Sequence, residues 1–299
     1  MKLAIVILNW NQAEETEETV RKLRTWERLH PEIWVVDNAS RDAAPTRRLR
    51  KAYPDVHMIV SDRNLGYAGG NNLALREILS TDIEAVLLLN NDALLPEPDA
   101  ARLIECLQHT PEAGIVGPLV RELVKGIPVF TAGGRDISRH LSTRNYLMGA
   151  SADAASPQRV AYVPGTAFLV RTDVLRKIGL MDEEYFFSGE IADLCERARQ
   201  AGHACIVDPQ AIAIHNVSAG SPLRATLYLY YTLRNRFLFI RRFRRRAAIY
   251  LMPFWIACGL LMCLRSTLRF NIPSARAAWL GVLDGFRGRF GDANARFNA

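Results

Sequence analysis

The 299-residue sequence has no internal repeat, no low-complexity tract and few cysteines. Its five cysteines, Cys106, Cys195, Cys205, Cys258 and Cys263, are an odd number and contain no CxxC pair. That argues against a disulfide framework and for free thiols in a reducing compartment. A cleavable signal segment is not expected at Met1, because the apolar start MKLAIVILNW is too short before Asn9 and reads as a buried strand. Apolar residues make up 49% and charged residues 23%, which excludes a disordered, collagenous or coiled-coil chain. The length is about two domains' worth, with ample material for a core.

Negative charge is missing from the end of the chain. Beyond Ser221 only Asp284 and Asp292 face 14 basic residues, all arginine, whereas residues 1–221 carry 24 Lys+Arg against 29 Asp+Glu. The basic net charge of +7 therefore belongs to the last quarter. Such a tail suits an anionic membrane surface or nucleic acid. The acidic body argues against nucleic acid wrapped along the whole protein.

The first hundred residues alternate short apolar runs with amphipathic segments. Leu3–Leu8, Ile33–Val36, Val56–Val60 and Ala85–Leu89 read as strands buried on both faces, with helices near 14–29, 43–52 and 71–80. This spacing predicts an α/β fold of right-handed βαβ units and a mostly parallel sheet. In such sheets ligands gather at the carboxyl ends of the strands. Here each run ends in polar residues: Asn9, Asp37-Asn38, Asp62-Arg63-Asn64 and Asn90-Asn91-Asp92. They predict one polar cleft. Further on, 135–159 reads as a surface loop, Val163–Val170 as a strand, Thr172–Ile178 as a short helix and Gly189–Ala201 as a longer one.

Several of these segments allow two readings. Asp92 after AVLLL is a ready oxygen ligand for a divalent cation completed by substrate phosphates, or an Asx turn before the next helix. Asp37-Asn38-Ala39-Ser40 is a turn with an N-cap, or a contact for a base or ribose. The glycines of Asn64-Leu65-Gly66-Tyr67-Ala68-Gly69-Gly70 let backbone approach a ligand beside a helix start.

Taken together, ILNWN (7–11), VDNAS (36–40), NLGYAGGNN (64–72), LLLNNDALLP (87–96), VPGTAFLVR (163–171), IGLMDEEYF (178–186) and GEIADLCERARQAG (189–202) resemble the family 2 glycosyltransferases, in their rhamnosyltransferase-like branch. The likeness is collinear and runs from residue 3 to about 240. It implies a GT-A fold at 1–221, with a nucleotide-binding part at about 1–118 and an acceptor-binding part at about 119–221. It also implies Mg²⁺ or Mn²⁺ on the diphosphate and inverting transfer from a nucleotide-diphosphate sugar, with dTDP-rhamnose or a UDP-hexose as donor. By the same likeness Asn9, Asp37, Asn38, Arg63, Asn64, Gly66, Asn90 and Asn91 belong to the donor site. Asp92 takes the last position of the family's DxD-type metal motif, here reading NND, and His215 matches a histidine used on the metal or phosphate.

The base is read from helix 189–201. Many relatives carry ED-x-D where this chain has Glu190-Ile191-Ala192-Asp193, so the second acidic position is Ile191. Glu190 and Asp193 are three apart and share a helix face. Glu190 is favoured as base with Asp193 orienting the acceptor; the reverse assignment stays open, as does simple dipole stabilisation of a helix capped by Ser188. Cys195 and Cys205 read as core. His30, His57, His109, His140 and His203 have no motif support.

Residues 222–299 read as a basic, apolar helical region that associates with a membrane. Ala247–Leu264 is an uncharged run of 18 residues interrupted by Pro253 and Gly259, at the short end of what spans a bilayer. Arg241, Arg242, Arg244, Arg245 and Arg246 precede it, and Arg265 and Arg269 follow. Arginines on both flanks leave a span, a re-entrant segment and an interfacial segment open, and a buried helix of a soluble domain is the alternative. Phe237, Phe239, Phe243, Tyr250, Phe254 and Trp255 would sit at the headgroup boundary. The reading is an enzyme on the cytoplasmic face of the cell membrane, with a lipid-linked saccharide as acceptor and no nucleic acid partner. A nucleotidyltransferase and a non-catalytic nucleotide-sugar-binding protein are the competing classes.

Overall fold

The computed structural model describes residues 1–124, 126–140, 144–147, 156–216 and 222–297. Strands β1 (Leu3–Asn9), β2 (Glu32–Asp37), β3 (His57–Val60) and β4 (Ala85–Asn90) lie parallel in the order β3-β2-β1-β4. Alternate residues of β1 enter opposite cores: Ile5 and Ile7 on one face, Ala4 and Val6 on the other. That is why the run is apolar throughout, and each fully buried aliphatic side chain there contributes about 1.5–3 kcal/mol. Helices α1 (Ala13–Leu23), α2 (Ala44–Ala52) and α4 (Glu97–His109) cover the first face. Helices α3 (Gly66–Ile78), α5 (Thr172–Ile178) and α6 (Glu190–Gln200) cover the second.

Past β4 the sheet becomes mixed. Strand β10 (Ala167–Arg171) is antiparallel to both β4 and β6 (Ala113–Val124), and β11 (Ala204–His215) runs parallel to β6. The two-residue β5 (Ala93–Leu94) closes the edge antiparallel to β11, and β9 (Gln158–Arg159) also pairs with β11. Strands β7 (Ile127–Gly134) and β8 (Arg144–Leu147) extend from β6 as an antiparallel flap. The expected parallel order thus holds for the first four strands.

Four boundaries differ from the sequence expectation. Helix α1 stops at Leu23 rather than near 29, because the Glu97 carboxylate accepts hydrogen bonds from the backbone N–H groups of Glu27, Arg28 and Leu29 and holds them in a loop. Helix α3 begins at Gly66 rather than 71. The strand expected at Val163–Val170 is limited to β10. The stretch 135–159 holds β8 and β9, while 141–143 and 148–155 lie outside the described residues.

The last quarter forms three helices, α7 (Pro222–Phe243), α8 (Ala248–Leu268) and α9 (Ile272–Arg287). Leu233, Phe237, Trp255, Ala278 and Val282 make their common core. Gly259 brings α8 against α9: a Cβ there would lie 2.1 Å from Val282 Cγ2. Helix α7 is also packed on the α/β body. Phe239 joins Ile137 and Ala192 in a small core, and Tyr230 and Tyr231 pack with Phe186. The expected division at 221 falls among residues 217–221, outside the described set.

The arginines of this quarter divide by direction. Arg244 pairs with Asp136 at 2.9 Å and Glu196 at 2.8 Å, and Arg242 pairs with Asp182, Glu184 and Asp193. These two are therefore internal clamps rather than lipid-facing charges. Phe237, Phe239 and Trp255 are likewise core residues, not boundary aromatics. Arg245 and Arg246 are exposed, as are Ile249, Tyr250, Phe254, Leu261, Leu264 and Leu268. Arg245–Leu268 is long and apolar enough to cross a membrane, and only 17% of its most apolar window is buried.

Candidate active site

The polar strand ends do not all face one cleft. Asn9 is 2% exposed. Its amide donates to Ser40 Oγ at 3.2 Å, and its Oδ1 accepts from Gln12 N and Thr16 Oγ1. Asp37 is equally buried, accepting from Ser40 N and Thr46 Oγ1. Asn38 donates to Asn64 Oδ1 at 3.0 Å and Gly66 O at 3.1 Å, and accepts from Leu65 N. Asn64 in turn accepts from Gly66 N. Asn91 donates to Gln12 O and Thr16 Oγ1. These side chains brace the turns at the carboxyl ends of the parallel strands. Gly66 (φ +71) is needed for a reason beyond ligand approach, because a Cβ would lie 2.2 Å from Phe186 O. Arg63 is exposed at the same rim.

A cavity of about 540 Å³ opens beside them, between the sheet and α7. Tyr67, Asn90, Glu122, Glu190, His215 and Tyr228 are among its walls. Two strand pairings assemble its inner end. Antiparallel β5 sets Ala93 opposite His215, which brings Asp92 to the imidazole, with Nε2 3.2 Å from Asp92 Oδ1. Parallel β6 sets Glu122 opposite His215 and within 2.9 Å of its Nδ1. Burial disfavours the imidazolium, but the two carboxylates outweigh it and raise His215 to about 9. Burial also opposes charge on Asp92, yet the His215 contact holds its carboxyl below the ordinary value. Glu122 was missed by sequence reading, since only the β6–β11 register reveals it.

This end of the cavity suits a hard divalent cation. His215 Nε2 is buried outside hydrogen-bonding geometry, Asp92 supplies a carboxylate beside it, and Glu122 orients the ring from behind. Among the described residues no three His, Cys, Asp or Glu side chains converge as a complete cage. A cation held there would take its remaining oxygens from water and substrate phosphate, which is the habit of Mg²⁺ and Mn²⁺.

Glu190 stands at the other wall. It is the first residue of α6 and 6% exposed, and its Oε2 has no hydrogen-bond partner. Burial, with the Asp193 charge adding to it, pushes its carboxyl up to about 7. Ser188 does not cap this helix: the N-cap is Gly189 in the left-handed region, and the Ser188 hydroxyl meets Thr232 Oγ1. Asp193 is not at the cavity. Its side chain is fully buried between Arg197 at 2.6 Å and Arg242 at 3.4 Å. Burial raises its pKa despite Arg197. Cys195 and Cys205 are buried core residues, as expected.

Comparison with known proteins agrees with this architecture. Residues 4–179 match the family model described as Glycosyl transferase family 2. The low-salt glycan biosynthesis hexosyltransferase Agl10 of Haloferax volcanii is 30% identical over 246 residues, covering 79% of this chain and 74% of that protein. The N-acetylglucosaminyl-diphospho-decaprenol L-rhamnosyltransferase of Mycobacterium tuberculosis is 23% identical, covering 72% and 76%. Among solved structures, mannosyltransferase PcManGT from Pyrobaculum calidifontis with GDP-Man and Mn²⁺ aligns with a TM-score of 0.60 at 16% identity, over 96% of this chain and 88% of that one. GalNAc-T7 with UDP, GalNAc and Mn²⁺ has the same TM-score at 15% identity; 78% of this chain aligns, spanning 47% of that chain. With its parallel strands, its Asp92–His215 pair and this span of matched sequence, the chain belongs to glycosyl transferase family 2 and has the GT-A fold.

Proposed function

We propose that the protein is an inverting, metal-dependent transferase that moves rhamnose or a hexose from a nucleotide-diphosphate donor to a hydroxyl of a lipid-linked saccharide. Cell-surface polysaccharide synthesis on the cytoplasmic face of the membrane is the setting. The observation that carries the reading is Glu190: a buried carboxylate with an unpartnered oxygen, on the wall of the cavity that His215 of the Asp92–His215 pair also lines.

Asp92 and His215 would hold Mg²⁺ or Mn²⁺, which when bound neutralises charge gathering on the diphosphate leaving group. Asn90 and Asn91 flank that position, and Asn9, Asp37, Asn38, Arg63, Asn64 and Gly66 shape and rim the nucleotide side. Glu190 takes the proton of the acceptor hydroxyl as that oxygen bonds to the anomeric carbon. The bond from that carbon to the diphosphate oxygen breaks on the opposite face, so configuration inverts. A carboxyl titrating near 7 suits this work, being ionised at working pH yet basic enough to accept a proton. Asp193 serves from beneath, paired with arginines, rather than by touching acceptor.

A lipid-linked acceptor is favoured by two features. The decaprenol-linked substrate in the name of the mycobacterial relative is one. The exposed apolar face of α8 is the other, because it belongs against an anionic bilayer, with Arg245 and Arg246 at the lipid surface.

The test is release of nucleoside diphosphate from a panel of nucleotide sugars with Mn²⁺ and a polyprenyl-diphosphate-linked saccharide. Asp92→Ala should abolish transfer and weaken Mn²⁺-dependent nucleotide binding while leaving the fold intact. Near-normal transfer by that variant would refute the metal assignment.

A further inference from the structure

Glu190 is delivered by an unusual piece of backbone. After the 3-10 turn Glu183–Tyr185, Phe186 has φ 59 and ψ −58, Ser188 has φ 69 and Gly189 has φ 102. Three of the four residues before the carboxylate thus lie at positive φ, two of them with side chains. Such backbone persists only where its surroundings over-determine it.

What over-determines it is Asn235, in the middle of α7. It is 1% exposed, and the two N–H groups of its amide are shared among three carbonyls of this segment: Tyr185 O at 2.9 Å, Phe187 O at 2.9 Å and Ser188 O at 2.6 Å. Its own oxygen is held by Arg234 Nε at 2.9 Å, which orients the amide with nitrogen toward the turn. Arg234, also buried, reaches Glu184 O, Tyr185 O and, from the C-terminal tail, Gly291 O. The carbonyl of the segment that Asn235 does not reach, Phe186 O, accepts from Tyr67 N at 2.7 Å, which ties the turn to the start of α3. One turn therefore joins the nucleotide side, Glu190 and the C-terminal helices.

We propose that Asn235 is a positioning residue for transfer: by holding the 185–189 turn it sets the place of Glu190, and it makes α7 part of the catalytic apparatus rather than of a membrane appendage. This rests on Glu190 being the base. Replacing Asn235 removes the three donated bonds and lets the turn relax toward negative φ, carrying the carboxylate away from the acceptor and admitting water to it.

The experiment compares Asn235→Ala and Asn235→Asp with Glu190→Gln in the same transfer assay on full-length protein. Asn235→Asp keeps the size but meets three carbonyls with an acceptor. Both Asn235 variants should lose about 10²-fold in kcat, the scale of a misplacement of about 1 Å. Binding of nucleoside diphosphate with Mn²⁺, read by thermal shift, should stay unchanged. The rising limb of the kcat–pH profile, near 7 in the parent, should move toward lower pH as the carboxyl is hydrated. In a Glu190→Gln background the Asn235 change should cost almost nothing further. If both Asn235 variants lower thermal stability but keep the parent kcat and pH limb, Asn235 is only a structural tie and the proposal fails. If Glu190→Gln itself keeps the parent rate, the base assignment fails instead. Should neither Asn235 variant fold, Asn235→Ser with amide hydrogen exchange across Phe187–Glu190 decides: exchange and pH limb both at parent values overturn the proposal.

Discussion

The two ends of this chain treat polar side chains in opposite ways. At the parallel strand ends, Asn9, Asp37, Asn38 and Asn91 spend their hydrogen bonds on near neighbours in the same layer. In the C-terminal helices, Arg234, Arg242 and Arg244 reach instead into the catalytic body, binding its carbonyls and carboxylates. The first region knits adjacent turns to one another. The second lends its charges to an acidic partner layer, adding to pairs such as Asp193–Arg197 and Glu196–Arg199 that the body already makes. The last quarter is thus both a brace for the site and, through α8, an apolar surface.

The comparison can be broken most severely at the base. Glu190→Gln should lower transfer by about 10²–10⁴-fold, with nucleotide binding unchanged in a thermal-shift titration. The parent rate should rise with pH through about 7, since only the ionised carboxylate accepts a proton. Stability should move the other way. The folded-state pKa lies above the ordinary value of 4.5, so the folded protein binds the extra proton between about 4.5 and 7 and loses stability as pH rises across that window. Relative to the parent, Glu190→Gln should gain on the order of 3 kcal/mol between pH 5 and pH 8, measured by urea unfolding.

Adjacent arginines sharpen the contrast next. Arg244→Gln takes one partner from Asp136 and from the buried Glu196 and should cost about 3 kcal/mol, the lower end of what breaking a buried pair costs. Arg245→Gln, one residue on and exposed, should leave chemical unfolding unchanged. It should weaken binding to phosphatidylglycerol-containing vesicles by about fivefold, the share of one arginine near anionic lipid. Equal effects of the two substitutions in both assays would erase the distinction between inward and outward arginines. Between these in size, Glu122→Gln should weaken Mn²⁺ binding by about 10–100-fold, the usual cost of losing the carboxylate behind a metal-ligating histidine. Isothermal titration with nucleoside diphosphate present reads it.

Legibility followed the same divide. The four parallel strands, α2 and α5 could be read from continuous apolar runs and their polar ends, and the family from collinear motifs. Glu190 and Asp193 were both visible as acidic residues three apart, but their different surroundings were not. One lines a cavity, and the other is sealed between Arg197 and Arg242, the latter 49 residues away in sequence. Glu122 and Asn235 carried no signal of their own, because each matters only through a pairing made across the fold.

The amino-acid sequence by itself determined the local matters: which segments are apolar on both faces, where polar residues end them, and the concentration of arginine after residue 221. These follow from side-chain chemistry read at short range. Tertiary structure alone decided which arginines face inward, that β5 and β6 deliver Asp92 and Glu122 to His215, and that α7 grips the turn before Glu190. Those outcomes depend on strand register and helix docking. A carboxylate acquires its pKa, and an amide its three carbonyl partners, only when chain segments far apart in sequence are brought within about 3 Å and water is removed.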